Sequence, residues 1–344
     1  MGVTRVARVT GLDRTGVEVA CAVRPLGHVL QVSNGKGRNF AAASAGALAE
    51  AAELWAAEQV DPRTLVWGSR SELAARLGVA QVWDAGDLGS AGELVAPALW
   101  SARTKIAWRR ARSLVGGPAV WVPAQAIHCL PDGAPALGPA VVRWTTNGMG
   151  AHRFLARAIE HALLEAIERD ALARRVPTGF TRAAVERLGI APPSLPARLR
   201  QQVQALEARG FGVHFFAVGA RPPCVAALLV DQEEGPVPLT AGYAARRTAA
   251  QACEAALLEA AQSRVTDIHG AREDVRPADA RAMRRLAAWC RSASPRISLK
   301  TLAPMRGPLT RGLRRAAVVE LTPNGSALRV VKVIIPGFRV SELL

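Results

Sequence analysis

The sequence predicts a mixed α/β fold carried by one domain over residues 1–344. Three observations lead there. Valine-rich runs with the two-residue alternation of strands recur along the chain. Long alanine-rich stretches of helix-forming composition lie between them. No long disordered stretch divides the chain, and half its residues are hydrophobic, enough for a large core.

Taken in order, Met1 to Val32 alternates and carries turn signals at Gly11-Leu12-Asp13 and Gly27, so two or three strands are expected. Ser33-Asn34-Gly35-Lys36-Gly37 is expected to form a glycine-bounded turn, followed by an alanine-rich helix from about Phe40 to Glu58. Shorter strands and helices continue to Trp100. Ala119 to His128 reads as a strand closed by the turn Pro131-Asp132-Gly133. A second turn, Thr146-Asn147-Gly148-Met149-Gly150, opens a helix that ends near Arg175. Pro192 to Pro196 reads as a short linker. A helix from about Ala197 to Arg209, strands Val213–Val218 and Val225–Val230, and a third alanine-rich helix over about Ala249–Thr266 follow. Leu328–Ile335 is the last strand expected, before a tail that starts Pro336-Gly337-Phe338 and runs to Ser341-Glu342-Leu343-Leu344.

Composition excludes several classes of function. No apolar run reaches the roughly 18 residues that would cross a bilayer, and the basic start Met1–Thr15 lacks the apolar centre of a signal peptide. A cytoplasmic protein without membrane contact is expected. The five cysteines (Cys21, Cys129, Cys224, Cys253, Cys290) are scattered and never spaced as Cys-x-x-Cys, which argues against a disulfide framework or a zinc site. The formal charge of +16 invites a nucleic-acid partner, yet only four of the 44 basic residues are lysines and the arginines are spread throughout. With one tyrosine, Tyr243, and no basic arm, the charge reads as a bias of composition. Nucleic acid is not the expected partner.

The chemistry lies in a repeated phrase. Glu50-Ala51-Ala52-Glu53, Glu165-Ala166-Ile167-Glu168 and Glu259-Ala260-Ala261-Gln262 each follow a small apolar stretch within one of the three long helices. Residues three apart share a helix face, so each phrase points two oxygen-bearing side chains one way. A single Glu-x-x-Glu is ordinarily a solvated face. These helices, however, are apolar nearly all round, which predicts burial, and a buried carboxylate is costly unless paired or bound to a cation. Oxygen donors select a hard cation such as magnesium. Lys36, Arg169 and Arg264 stand beside the acidic phrases as candidate phosphate ligands. Lys36 does not belong to a P-loop, because its surroundings do not match that pattern.

With these residues in view, the chain resembles the YcaO superfamily over most of its length. The matching stretches are Val32-Ser33-Asn34-Gly35-Lys36-Gly37 with Glu50 and Glu53; Thr146-Asn147-Gly148 with Glu165, Glu168, Arg169 and Asp170; and Glu259 with Gln262 and Arg264. The resemblance implies a single YcaO-like domain of internally similar strand–helix units, whose three acidic helices form a nucleotide site. ATP and Mg2+ would be held by Lys36, Glu50, Glu53, Glu165, Glu168, Arg169, Glu259, Gln262 and Arg264, with Glu50, Glu53, Glu165, Glu168 and Glu259 as metal ligands. The implied reaction is ATP-dependent phosphorylation of a peptide backbone amide oxygen, followed by addition of a nucleophile and loss of phosphate. The product would be an azoline, an amidine or a thioamide, and a few relatives hydrolyse the peptide instead. No residue of this chain is singled out as a covalent nucleophile.

The opening Gly2-Val3-Thr4-Arg5, with Thr10-Gly11-Leu12-Asp13-Arg14 and Val23-Arg24-Pro25, is most similar to the members that work with a TfuA-like partner. That likeness implies thioamide formation on a ribosomally made precursor peptide, a TfuA-like partner protein and a homodimer. The tail, without the proline-rich end typical of azoline-forming relatives, points the same way. Two departures stand out. Gly46 replaces a serine, and Gly150-Ala151-His152-Arg153 with Arg157 replaces the polar and acidic residues of the second motif. Either arginines have taken over phosphate contacts or the site has partly decayed into a binding scaffold. On the first reading Arg153 and Arg157 face the nucleotide or an acidic peptide.

Overall fold

The computed structural model describes residues 1–89, 92–94, 97–233, 235–270 and 279–340. The end of the expected tail, Ser341 to Leu344, lies outside them. The chain begins with β1 (Arg5–Arg8), β2 (Glu18–Val23) and β3 (Val32–Gly37), followed by α1 (Phe40–Ala57). Then come β4 (Leu65–Ser69), α2 (Arg70–Leu77), β5 (Gly92–Leu94), β6 (Lys105–Ser113), β7 (Val120–Pro123), β8 (Val142–Trp144) and β9 (Met149–His152). The second half holds α3 (Leu155–Arg175), α4 (Arg182–Leu188), α5 (Ala197–Glu207), β10 (Phe211–Ala220), β11 (Pro223–Asp231) and β12 (Leu239–Ala245). It ends with α6 (Ala249–His269), α7 (Ala280–Ser292), β13 (Ala317–Glu320) and β14 (Arg329–Ile334). No helix among the described residues is long and apolar enough to cross a membrane.

Three antiparallel sheets carry the fold. One has the order β1-β2-β3, one β10-β11-β12, and the largest β4-β6-β13-β14-β9 with β7 beside β6; β5 and β8 form a separate pair. The three long helices join these sheets in a ring. α1 packs on β2 and β3 and also on β9 and β14. α3 packs on β9 and β14 and on β10 and β12, and α6 packs on β11 and β12 and on β3. Each helix thus covers part of two sheets. α1 is apolar round most of its circumference, whereas α3, expected to be so as well, carries Arg157, Glu160, Asp170 and Arg174 besides its acidic phrase. The end strands of the sheets are thereby linked through the helices: β9 packs against α1, β12 against α3 and β3 against α6.

Local signals set the helix starts. Asn39 caps α1 by accepting from the Ala42 N–H at 2.9 Å, and Thr248 caps α6 by accepting from Gln251 at 3.3 Å. α3 starts without a side-chain cap of its own, but the His152 Nδ1 accepts from the Phe154 N–H at 3.0 Å. These helices match the expected spans to within a few residues.

Two expected turns are corrected. Residues 33–37 are not a turn but most of strand β3, paired with β2 from Glu18–Gly37 to Val23–Val32. Gly35 is needed there for close approach to α1, since a Cβ would stand 2.0 Å from the Ala43 carbonyl oxygen. Of the second expected turn, Asn147-Gly148 does turn, with Gly148 at φ +78°, but Met149 already begins β9. Gly150 repeats the role of Gly35, a Cβ falling 2.4 Å from the Ala158 carbonyl on α3. Gly242 on β12 does so against Ala256 on α6, at 2.2 Å. The expected strand Ala119–His128 is shorter, because β7 ends at Pro123 and a 3-10 turn takes Ala124–Ala126. The expected linker Pro192–Pro196 contains a 3-10 turn over Pro192–Ser194.

Candidate active site

A strand at the end of a sheet leaves every second N–H and C=O unpaired. In this ring those groups are met by the glutamates of the long helices. On β3, the Asn34 N–H donates to Glu50 Oε2 at 2.8 Å, while the Asn34 carbonyl accepts from Gln262 Nε2 at 3.4 Å. On β9, Glu53 takes a backbone hydrogen bond from Ala151. On β12, the Tyr243 N–H donates to Glu259 at 3.3 Å and the Ala245 N–H to Glu168 at 2.9 Å. The acidic phrases are therefore anchored to three different sheet edges.

The anchoring brings the carboxylates together. Burial, with the charges of Glu165 and Glu50, pushes the Glu53 carboxyl well above its ordinary range. Burial raises Glu165 to about 7, with Glu168 and Glu259 adding to the rise against Arg169 and Lys332. Glu168 is raised by burial and by the charge of Glu259. Glu259 goes the other way. Burial favours its neutral form, but the Lys36 ammonium, 2.7 Å from Oε2, and Arg169 outweigh burial and hold it ionised. Lys36, expected on a turn, reaches this site from the outer edge of β3.

These groups are surrounded by protein yet remain in reach of water. The side chains of Lys36, Glu259 and Arg169 keep 25%, 26% and 22% of their exposure. Deep side chains that still meet solvent line a cleft. Arg169 stands in it with an incomplete set of partners: its Nε is buried without a hydrogen-bond acceptor, and the Glu168 oxygen lies 3.9 Å away. The cleft thus combines surplus carboxylate charge with a guanidinium that has a donor to spare. A hard cation bound to anionic oxygens satisfies both, so the residues present fit magnesium together with a polyphosphate. No group of three or more carboxylates, histidines or cysteines among the described residues is close enough to hold a metal by itself. A cation here would take part of its ligands from elsewhere.

Arg264 has other partners. It is 2% exposed, and its guanidinium donates to Asp13 and Asp231, both at 2.9 Å, and to the Val237 carbonyl oxygen. Asp231 also binds Arg14, so Arg264 ties the N-terminal segment to the end of β11. Arg157, expected to face an anion, donates to Glu160 at 2.7 Å with two-thirds of its side chain exposed, and Glu160 also holds Arg247. Arg153 lies over the Phe154 ring at 4.6 Å.

Several site groups escaped the sequence reading. Lys332 on β14 is wholly buried, donates to the Thr145 carbonyl oxygen, and lies 4.7 Å from the Trp144 ring centroid. Burial lowers it to about 7, against the pull of Glu165 and Cys129. In sequence it is one polar residue in a valine run, indistinguishable from a solvent-facing strand position. His161 on α3 is exposed and lies near enough to Arg246, Lys36 and Glu259 for their charges to act on its imidazole. The Tyr243 hydroxyl is raised by burial and by Glu259.

A family model described as YcaO cyclodehydratase, ATP- and Mg2+-binding, matches residues 34–339. The chain is 30% identical to an uncharacterised protein of Methanothermobacter thermautotrophicus, over 99% of this chain and 90% of that protein. It is 27% identical to a protein of Rhizobium leguminosarum bv. trifolii described as an uncharacterised protein in the tfuA 3′ region, over 98% of this chain and 84% of that one. Two solved structures share the fold. A heterocyclase in complex with substrate and cofactor superimposes with a TM-score of 0.75 at 18% identity, over 98% of this chain, which spans half the length of that protein. YcaO from Methanopyrus kandleri, bound with AMPPCP and Mg2+, gives 0.69 at 19% identity over 99% of this chain and 89% of that one.

Proposed function

This chain belongs to the YcaO family of ATP- and Mg2+-binding cyclodehydratases, and we propose that it activates a backbone amide of a ribosomally made peptide by phosphorylating the amide oxygen. The observation that carries this reading is the cleft in which Glu50, Glu53, Glu165, Glu168 and Glu259 converge around Lys36 and Arg169. Burial first, with the neighbouring glutamates adding to it, raises Glu53, Glu165 and Glu168, and a bound cation would let them ionise. Magnesium held by one or two of these carboxylates, as is usual for this ion, would neutralise the phosphate charge.

The residues of the chain have distinct tasks in this scheme. Glu50 and Gln262 fix the backbone of Asn34, and with it the strand that carries Lys36. Lys36 and Arg169 supply positive charge where phosphate charge develops, and Arg169 has a free donor at Nε. The amide oxygen attacks the γ-phosphorus, the bond to ADP breaks, and the amide carbon becomes open to a nucleophile. For the second step the reading is thioamidation. Sulfide forms the new carbon–sulfur bond, and phosphate departs with the former amide oxygen. The similarity to the Rhizobium protein in the tfuA 3′ region supports this choice and a TfuA-like partner.

Mass spectrometry of a precursor peptide incubated with ATP, Mg2+, sulfide, this protein and a TfuA-like protein tests the reading. Replacement of one oxygen by sulfur with one ADP released per peptide is the expected result. Loss of water would make the product an azoline, and backbone cleavage would make the enzyme hydrolytic. Peptide binding with no ADP formed would reduce the chain to a scaffold.

A further inference from the structure

One cavity lies away from the acidic cleft. It is a half-open groove of about 750 Å³ against β10, the outer strand of the β10-β11-β12 sheet, walled by Val185 on α4, Leu195, Val203 on α5 and Cys290 on α7. β10 reads Phe-Gly-Val-His-Phe-Phe-Ala-Val-Gly-Ala and holds no charged residue and no proline. Natural edge strands are normally blunted by such residues, because an open edge pairs with any extended backbone.

The edge already accepts backbone at one end. The Phe215 carbonyl takes a hydrogen bond from the Ile190 N–H at 2.8 Å, so the backbone of Phe215 faces outward. By the two-residue period of the ladder, the backbone groups of Val213 and Phe211 face the same way, and both residues line the groove. A second polar group is aimed into it: His214 lines the groove, and its Nε2 is buried with no hydrogen-bond partner. The surroundings favour anions. Arg291 lines the groove, and exposed Arg296 follows the lining residue Pro295. Against them, Glu207 is the acidic lining residue, and the nearby Glu186 is paired to Arg182 at 3.2 Å.

We propose that the outer edge of β10 docks an extended, acidic segment of the peptide substrate, which adds to the sheet as a fourth strand beside Phe211–Val213. Alternate side chains of that segment enter the apolar groove, and the others meet Arg291 and Arg296. The inference rests on the peptide-modifying reading above and adds to it a recognition site separate from the chemistry.

The test uses fluorescein-labelled decapeptides that alternate valine with glutamate, or valine with lysine, and measures anisotropy without ATP or magnesium. The glutamate peptide is expected to bind at least tenfold more tightly than the lysine peptide. Methylating its backbone nitrogens on the face that pairs should abolish binding without touching the protein. Val213→Pro removes an outward N–H and leaves the β10–β11 ladder intact; it and Arg291→Glu should each weaken binding at least fivefold. Amide hydrogen exchange at Val213 should slow when the peptide is added. No binding at about 1 mM peptide, equal affinity for both peptides, or indifference to N-methylation would overturn the proposal. Because nucleotide is absent, loss of ATP chemistry does not affect this outcome, and a failure here leaves amide activation standing.

Discussion

Replacing Glu165 by glutamine should make the nucleotide-free protein more stable and its nucleotide complex weaker. Unfolded, this residue loses its proton near the ordinary glutamate value of about 4.3. Folded, it keeps the proton up to about 7, because it is buried among other carboxylates. Between those values the native state binds more protons than the unfolded chain, so stability falls as pH rises. The interval of about 2.7 units corresponds to roughly 3–4 kcal/mol at about 1.36 kcal/mol per unit. Water in the cleft screens part of this, leaving about 2 kcal/mol. Glutamine keeps the volume and removes the charge, so Glu165→Gln should recover that amount at pH 8.

The melting temperature reports it. At about 2.1 cal/mol/K per residue, the 344 residues give an unfolding entropy near 0.7 kcal/mol/K, so about 2 kcal/mol is about 3 °C. Scanning fluorimetry without nucleotide should show the variant about 3 °C above the parent at pH 8 and within about 1 °C at pH 5. With Mg·ATP the order should reverse, since the parent gains stability from binding and the variant gains little. A variant that melts no higher than the parent at pH 8, or a gain that does not change with pH, would refute the idea that Glu165 is charged at a cost.

Two further substitutions separate structural from ligand-binding roles. Arg264→Met should leave Asp13 and Asp231 buried with one cation fewer, costing about 3 kcal/mol, or about 4 °C. Calorimetry at low temperature should find its Mg·ATP affinity unchanged; an affinity loss of tenfold or more with no change in melting would instead make Arg264 a phosphate ligand. Gly35→Ala places a Cβ 2.0 Å from the Ala43 carbonyl oxygen and should cost about 3 kcal/mol. By pushing β3 off α1, it should also weaken Mg·ATP binding through Lys36 and Asn34. Thermal melts and calorimetry that both match the parent protein would show that β3 and α1 have room to spare.

The three long helices were legible because their causes are local. Alanine-rich composition and the caps Asn39 and Thr248 act within a few residues, and α1 was expected over Phe40–Glu58 and found over Phe40–Ala57. The strands β10, β11 and β14 were legible for a similar reason, as short runs dominated by apolar residues. Strand β3 was not. Its glycines carry the local signal of a turn, while the reason for Gly35 is a helix backbone against which the strand packs. The ion pairs of Arg264 were not legible, for a related reason. This arginine follows its acidic phrase on α6 in sequence, but its partners Asp13 and Asp231 lie 251 and 33 residues away.

The sequence by itself determined that three helices would each carry a pair of oxygen-bearing side chains three residues apart, since helix geometry alone sets that face. It also determined that α1 would be buried, since this helix has too few polar residues to face water. What those pairs meet was decided by tertiary structure. Lys36 pairs with Glu259 across 223 residues, and Glu168 takes its hydrogen bond from Ala245, 77 residues on. Such partners are set by where the ends of three sheets meet. Unpaired N–H groups on β3, β9 and β12 draw the glutamates in, and that same convergence buries them beside one another, so that burial first and mutual charge second raise Glu53, Glu165 and Glu168. Desolvation and charge repulsion depend on distances through space, and only the folded ring sets those distances.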